Sequence, residues 1–299
     1  MTASDAEIAS RARTPIHVVG YPKSGTTWLT RLIGDALDSP TGSGYALHDR
    51  EPATEGWDRP GPYLVLKSHH SGYDLPDHLR PASGDRPAPV IYLVRDIRDV
   101  VVSAFFQYHR GLDERLVLTP ENGGAPRHAL HRAYFRNRIL RLSRSWQGGL
   151  PFLHASRARA SRIVRLVTQR GRAGRTSTVQ PIGNWSDHVR SWIDGRAAVV
   201  VRYESLIASP IDSLERTFRN LGLDVRGLDI EGAVERQSFA RRKAEFLAQN
   251  DRRGRALRRG VAGDWKRFLS PSVNRRIVRR HGDTLERIER YSSCEAAPS

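Results

Sequence analysis

The segment GYPKSGTT, residues 20–27, constrains the fold of this 299-residue chain more than any other feature. It follows a buried apolar strand that ends at Gly20, and it precedes a helix in which apolar residues recur at helical spacing from Trp28 to Leu37. Backbone N–H groups at such a strand-to-helix turn bind anions, because the first residues of a helix have no acceptors within the helix. The segment therefore predicts a phosphate-binding loop.

The position of its lysine distinguishes this loop from that of the nucleoside triphosphate-binding proteins. In those proteins a lysine directly follows the second glycine, and a hydroxyl residue comes next. Here Thr26 and Thr27 follow Gly25, and Lys23 lies inside the loop. The bound anion is therefore expected to be held differently. A turn without a ligand is the alternative, and the crowding of Lys, Ser, Thr and Trp side chains counts against it.

Buried strands alternate with helices along the chain, which predicts an α/β fold with a mostly parallel central sheet. Further strands are expected at 63–69, 88–96 and 197–206, and helices at 96–110, where Asp96 is placed as the cap, and at 209–221, 228–249 and 272–290. Residues 39–62 are expected to form a loop. The sequence predicts a single domain over 15–290, between a flexible leader, 1–14, and a flexible tail, 291–299.

The positive charge is concentrated in one segment. The chain has 49 Lys and Arg against 32 Asp and Glu, a net charge of +17. Residues 122–186 contain 13 arginines and no acidic residue, which leaves 36 basic residues against the 32 acidic ones elsewhere. We predict a basic helical insertion over 122–182. It would contact an anionic acceptor or a membrane surface, or form a solvated helix face.

Cysteine content and hydropathy exclude several classes of protein. The only cysteine, Cys294, rules out a disulfide framework and a cysteine metal cluster. The N-terminus has no apolar stretch typical of a signal peptide, and apolar runs reach only five residues. These features predict a cytoplasmic protein.

The segment PKSGTTW, 22–28, resembles the 5′-phosphosulfate-binding loop of the cytosolic-type sulfotransferases. These enzymes use 3′-phosphoadenosine 5′-phosphosulfate (PAPS) as sulfuryl donor and release 3′-phosphoadenosine 5′-phosphate (PAP). Three further motifs follow in the family's order: LKSH at 66–69, VRDIRDVVVS at 94–103 and RRGVAGDWK at 258–266, with Arg259 in place of the family's lysine. Weaker similarities are GNWSDHVRSW at 183–192, Tyr203 with Glu204, and Ser238 with Phe239. Together they cover most of the chain.

Strand alternation supports one catalytic role that the resemblance implies. It places Lys67 and His69 on one face of their strand and His70 on the other. His69 is therefore expected to be the general base, and Lys67 either stabilises the transferring oxygens or pairs with a carboxylate. Lys23 is expected to stabilise charge on the departing phosphate.

The resemblance also implies the donor site, which needs no metal. Arg95 and Ser103 would bind the 3′-phosphate together with the closing RRG motif, and Trp28 and Phe239 would enclose the adenine. The predicted donor-binding residues are Lys23, Ser24, Gly25, Thr26, Thr27, Trp28, Arg95, Ser103, Tyr203, Phe239, Arg258, Arg259 and Gly260. Without the other motifs, Arg95 would be expected to pair with Asp96 or Asp99.

The acceptor and the partners are less constrained. We expect a hydroxyl acceptor that is a small molecule, a glycan or a lipid-like compound, and no sequence-specific nucleic acid. The family's dimer motif is not matched, since Ser270, Pro271 and Arg275 occupy its positions, which puts a homodimer in doubt. Two other functions remain open: a nucleotide-dependent kinase with Asp96 as magnesium ligand, and a non-enzymatic protein that binds anionic polymers or surfaces.

Overall fold

A central sheet of five parallel strands organises the computed structural model, which describes residues 13–43, 55–72, 89–108, 117–118, 129–144, 184–194, 199–250 and 257–295. The strands are β1 (Thr14–Gly20), β2 (Thr41–Ser43), β3 (Tyr63–Ser68), β4 (Val90–Val94) and β5 (Val199–Arg202). Their order across the sheet is β2-β3-β1-β4-β5. The predicted fold class is confirmed.

Helices cover both faces of this sheet. They are α1 (Thr26–Ala36), α2 (Ile97–Tyr108), α3 (Ala129–Arg144), α4 (Trp185–Ile193), α5 (Tyr203–Ala208), α6 (Pro210–Asn220), α7 (Ile230–Arg236), α8 (Phe239–Ala248) and α9 (Pro271–Glu295). A 3₁₀ helix, Asp264–Arg267, lies between α8 and α9. None of the helices within the described ranges is both long and apolar enough to cross a membrane.

Two hydrophobic cores flank the sheet. On one face, apolar residues of β1 pack with α1, α5, α6 and α7, for example Leu32 and Phe218. On the other face, α2, α3, α4 and α9 contribute side chains such as Phe105, Trp185 and Ile277. Because both faces are covered, β1 is buried continuously from Ile16 rather than at every second residue.

The strand order places a crevice at the carboxyl end of β1. The next two strands of the chain, β2 and β3, lie on one side of β1, and the later strands, β4 and β5, lie on the other, so the order reverses at β1. Ligands of open parallel sheets bind outside the strand ends at such a reversal. The loops that follow β1, β3 and β4 therefore meet at one place, and these loops carry three of the motifs found in the sequence.

Several predicted boundaries differ from the structure. The expected loop at 39–62 contains β2, which is only three residues long and pairs with β3. The strand expected over 197–206 ends at Arg202, because Tyr203 begins α5. The helix expected over 228–249 is interrupted between α7 and α8, and α9 continues to Glu295, into the predicted tail.

The basic insertion lies mostly outside the described residues. Its described part contains α3, and the helical insertion over 122–182 as a whole stays a prediction. Arg136, Arg141 and Arg144 are exposed there. Arg138 is buried, with its guanidinium 5.8 Å from the ring centre of Tyr134. One arginine of the segment therefore belongs to the packed interior rather than to a solvated face.

Candidate active site

A cleft of about 760 Å³ lies at the carboxyl ends of β1, β3 and β4. It is lined by every predicted site residue except Ser24, which is fully buried beneath it. The lining residues predicted from the sequence are Lys23, Gly25, Thr26, Thr27, Trp28, Lys67, His69, Arg95, Ser103, Tyr203, Phe239, Arg258, Arg259 and Gly260. The structure thus brings four separate sequence motifs into one site.

The loop after β1 has an unusual backbone conformation. Lys23 and Gly25 both have left-handed torsions, with φ of 73° and 99°. A left-handed conformation is costly for lysine, and such strain is concentrated at functional sites. Gly25 caps α1 without a side-chain hydrogen bond, so the first N–H groups of the helix are available to an anion. Alternating backbone handedness of this kind forms anion-binding concavities.

Lys23 is held near a residue that the sequence motifs did not include. Its Nζ donates to Oε1 of Gln107 at 3.3 Å. Gln107 lies one helical turn after Ser103 on α2, and both line the cleft. The spacing of four residues, which places Gln107 and Ser103 on one face of α2, is the sequence signal that could have identified Gln107.

Arg95 ties two segments of the cleft wall together. Its guanidinium donates to the backbone carbonyls of Lys23 at 3.1 Å and Val261 at 3.3 Å. It also stacks 4.1 Å from the ring centre of Tyr203. Arg95 Nε is buried and has no hydrogen-bond partner among the described residues. Such a donor fits an anionic ligand, because an unsatisfied buried polar group is otherwise costly.

The acidic neighbours of Arg95 have other partners. Asp96 caps α2 by accepting from the backbone N–H of Arg98 at 2.8 Å, and it also pairs with the Arg98 guanidinium at 2.5 Å. Asp99 accepts from the backbone N–H groups of Gly263 at 2.7 Å and Trp265 at 2.9 Å. Asp99 thereby fixes the segment that follows the RRG motif to α2. Burial raises the pKa of Asp99.

A buried carboxylate organises the closing motif. Asp264 is almost inaccessible and pairs with Arg258, with Arg259 at 3.5 Å and with Arg267 at 3.4 Å. Gly260 has a φ of 65°, and a Cβ at this position would overlap the ring of Phe239. The backbone of Gly260 therefore lies directly against the ring of Phe239, in the wall of the cleft.

Three aromatic residues line the cleft beside the phosphate loop. The indole N–H of Trp28 donates to the carbonyl of Gln237 at 2.9 Å. Its ring lies 6.2 Å from that of Tyr203 in an edge-to-face arrangement. Phe239 lines the same cleft at the start of α8. These flat apolar surfaces are suited to stacking on an aromatic base.

His69 and Lys67 face the cleft together, whereas His70 is buried away from it. The Nδ1–H of His69 donates to the carbonyl of Gly20 at 2.6 Å. Burial, opposed by that hydrogen bond, lowers the pKa of His69 to about 4. Lys67 Nζ donates to Thr27 Oγ1 at 3.2 Å. Burial lowers the pKa of Lys67, and the positive charge of the nearby Arg31 lowers it further.

Comparison with known proteins identifies the family. A family model described as a sulfotransferase domain matches residues 13–288. The chain belongs to the sulfotransferase family. The resemblance seen in the sequence is confirmed, as are the predicted enzyme class and its donor, PAPS. This sulfotransferase has no cluster of three or more potential metal ligands among its described residues.

Curated relatives and a solved structure agree with this membership. Sulfotransferase 2B1 of Mus musculus is 24% identical, and the match covers 92% of this chain and 72% of the relative. The 3-beta-hydroxysteroid sulfotransferase of Cavia porcellus is 26% identical, with 84% and 77% covered. The crystal structure of mouse sulfotransferase SULT7A1 complexed with PAP is 21% identical, with a TM-score of 0.52 over 91% of this chain and 84% of that one, which shows the shared fold.

Other lining residues were missing from the sequence interpretation. Arg31 forms a two-point ion pair with Glu55, at 2.8 and 2.6 Å, beside Lys67. Arg242 and Phe246, on α8, line the same end of the cleft, with a guanidinium-to-ring distance of 4.6 Å. No motif marked these residues, because their approach depends on the packing of α1 against distant segments.

Proposed function

We propose that this sulfotransferase moves the sulfuryl group of PAPS to the hydroxyl of a small molecule, with His69 as general base. The orientation of the His69 ring carries the proposal. Because a carbonyl only accepts, the contact with Gly20 assigns the proton of the neutral ring to Nδ1 and leaves Nε2 as the basic nitrogen. His69 lines the cleft that also contains Lys23 and Lys67.

The proposed reaction is an in-line displacement at sulfur. The acceptor oxygen forms a bond to sulfur while the bond from sulfur to the 5′-phosphate oxygen breaks, and PAP departs. His69 Nε2 accepts the hydroxyl proton, and the Lys23 ammonium stabilises the charge that develops on the departing phosphate. Lys67, held beside Thr27, is placed to stabilise the transferring oxygens.

The protonation state of His69 agrees with this role. With a pKa lowered to about 4, the ring is neutral at physiological pH and can accept a proton. Nearby negative charge favours the protonated form of an imidazole. A bound anionic donor is therefore expected to raise the pKa of His69 and strengthen it as a base.

The rest of the donor is expected to extend from the phosphate loop along two walls. We assign the 3′-phosphate to Arg95, Ser103 and the backbone and side chains of 258–260. The planar guanidinium of Arg95 suits a two-point phosphate contact. We assign the adenine to the space between Trp28 and Phe239, beside Tyr203. The buried, unsatisfied Nε of Arg95 and the left-handed turns of the loop support this assignment.

The alternative functions gain no comparable support. In the kinase interpretation Asp96 was the magnesium ligand, but both its carboxylate oxygens accept hydrogen bonds from Arg98. Binding of an anionic polymer or surface by the arginine-rich insertion remains a prediction, as do a glycan or lipid-like acceptor and a homodimer. A steroid alcohol enters the acceptor screen because a relative is named a 3-beta-hydroxysteroid sulfotransferase.

The proposal is tested with sulfur-labelled PAPS and a panel of acceptors: a steroid alcohol, a phenol and a sugar. We expect labelled sulfate to move to at least one hydroxyl. The His69→Ala variant should lose about 10²- to 10⁴-fold in kcat, the usual contribution of a positioned base. Lys23→Ala should lose transfer as well, because charge on the departing phosphate would no longer be stabilised.

His70→Asn is the matched control, since it alters the adjacent imidazole, which does not line the cleft. It should retain transfer. If PAP binds but none of these acceptors is sulfated, the proposed acceptor, a small-molecule hydroxyl of these classes, is wrong. If transfer occurs and His69→Ala keeps the kcat of the parent chain, the assignment of the base is wrong.

A further inference from the structure

Helix α4 forms hydrogen bonds to the backbone just after β3 and β4, where His69 and Arg95 lie. Three of its side chains, spaced three and four residues apart, lie on one face and donate ring N–H groups to backbone carbonyls. These hydrogen bonds are Trp185 Nε1 to Arg95 O at 3.2 Å, His188 Nε2 to His69 O at 3.2 Å and Trp192 Nε1 to His70 O at 3.0 Å. The accepting carbonyls belong to the proposed base, to its neighbour and to the proposed 3′-phosphate ligand.

The ring of His188 has a defined orientation. Its Nε2–H donates to a carbonyl, so Nδ1 is the acceptor and receives the hydroxyl proton of Tyr92 at 2.9 Å. Tyr92 is fixed in turn by parallel stacking on Trp192, with ring centres 5.8 Å apart. His188 is only 1% exposed, and burial lowers its pKa to about 3. The ring is therefore neutral at physiological pH and donates from Nε2 to the carbonyl of His69.

His188 also contacts the phosphate loop. The ring of Tyr21, two residues before Lys23, meets the His188 ring edge to face at 5.3 Å. The preceding carbonyl, that of Gly20, accepts from Nδ1 of His69. His188 thus touches both segments that fix the His69 ring: the backbone of His69 itself and the turn that follows β1.

We propose that His188 is a positioning residue for sulfuryl transfer, which holds His69 in its reactive orientation through the His69 carbonyl. Trp185, on the same helix, supports the donor side through Arg95. The inference rests on the proposed function, because it assigns His69 as base. It predicts that two residues of one helix affect different kinetic quantities.

Three variants separate these effects. His188→Phe keeps the ring volume but loses the donor, and we expect kcat to fall by about 10²-fold, the effect of a small misplacement of a reacting group, with PAP affinity unchanged. His188→Gln retains an N–H donor in a similar position and should restore most of kcat. Trp185→Phe should weaken PAP binding more than it lowers kcat at saturating PAPS.

His281→Phe is the matched control for a purely structural loss. His281 is also 1% exposed, donates from Nε2 to the carbonyl of Ser143 at 2.6 Å and has Nδ1 2.7 Å from the hydroxyl of Ser186. It is absent from the cleft lining. His281→Phe should lower Tm as much as His188→Phe does but leave kcat unchanged. Equal kcat for His188→Phe and the parent chain, or equal losses for both variants, would overturn the inference.

A measurement without turnover distinguishes this inference from the proposed function. The ring protons of His69 are titrated by NMR in the parent chain and in Tyr92→Phe, which removes only the hydroxyl that orients His188. We expect the pKa of His69 measured in this variant to differ from that in the parent chain. An unchanged titration contradicts the positioning role even if the acceptor is never found, whereas a shifted titration without any sulfate transfer contradicts only the proposed reaction.

Discussion

The phosphate loop requires glycine at position 25, because there is no room for a Cβ there. A Cβ at this position would lie 2.8 Å from the ring of Tyr203, and its φ of 99° is unfavourable for other residues. Gly25→Ala should therefore displace Tyr203 or the loop. We expect PAP affinity to fall by at least about tenfold, which corresponds to about 1.4 kcal/mol, as measured by isothermal titration calorimetry.

Gly222 provides the matched control for backbone strain. It also has a left-handed φ, 73°, and a Cβ there would meet no atom within 4 Å. Gly222→Ala should lower the free energy of unfolding by the cost of the torsion, about 1 kcal/mol, and therefore lower Tm, without changing PAP affinity. If both alanine variants bind PAP like the parent chain, the contact between Gly25 and Tyr203 does not limit the donor site.

At the scale of elements, the 3₁₀ helix and α2 are joined by a single carboxylate. Asp99 accepts two backbone N–H groups, from Gly263 and Trp265, that lie just beyond the RRG motif. Asp99→Ala removes both acceptors and should release the segment that carries Arg258 and Arg259. We expect binding of PAP, which has a 3′-phosphate, to weaken by about tenfold or more, since two hydrogen bonds to a charged group are lost.

Adenosine 5′-phosphosulfate is the control ligand for Asp99→Ala, because it lacks the 3′-phosphate. Its affinity should change much less than that of PAP. Arg226→Ala is the control variant: this arginine forms an exposed ion pair with Asp224 and contributes nothing to the cleft. Equal losses for both nucleotides upon Asp99→Ala would place the 3′-phosphate elsewhere.

The elements that the sequence predicted well are those specified by local patterns. The run of apolar residues before Gly20 and the alternation around Lys67 and His69 depend on neighbours within a few residues, and these features agree with the structure. The short strand β2 was missed because three residues give no readable periodicity. The extent of the strand ending at Arg202 was overestimated, because apolar and aromatic residues continue into α5.

Contacts between distant segments could not be predicted from the sequence. Asp99 and Gly263 are 164 residues apart, and His188 and His69 are 119 apart. Nothing in either neighbourhood indicates which backbone group will be the partner. The weak similarity of GNWSDHVRSW to the family located the helix but gave its side chains no role. Their role follows only from the packing of α4 against the ends of β3 and β4.

At the scale of the whole molecule, buried neutral histidines make stability depend on pH. Burial lowers the pKa of His69 to about 4 and that of His188 to about 3, and it also lowers the pKa of His281. In the unfolded chain these rings titrate near their ordinary value of about 6.5. Between the folded and unfolded pKa values the unfolded chain binds more protons, so acid favours unfolding.

The histidine contribution to the free energy of unfolding should be complete above about pH 6.5 and decline as the pH falls toward about 4. Asp99 and Glu204 act in the opposite direction, since burial raises their pKa and favours their protonated forms in the folded chain. Their stabilising effect is complete below their unfolded pKa values, near about 4, and is lost as the pH rises through their folded pKa values. We therefore expect Tm, measured by calorimetry, to decrease from about pH 7.5 to about pH 5.

His281→Phe tests the origin of this dependence at a residue that does not line the cleft. Removing one buried histidine should make Tm less sensitive to pH, because one fewer ring must be kept unprotonated on folding. The variant should be less stable than the parent chain at neutral pH, because two buried hydrogen bonds are lost, and the difference between the two should narrow as the pH falls. A constant difference in Tm across the range would mean that His281 is protonated to the same extent in the folded and unfolded chains.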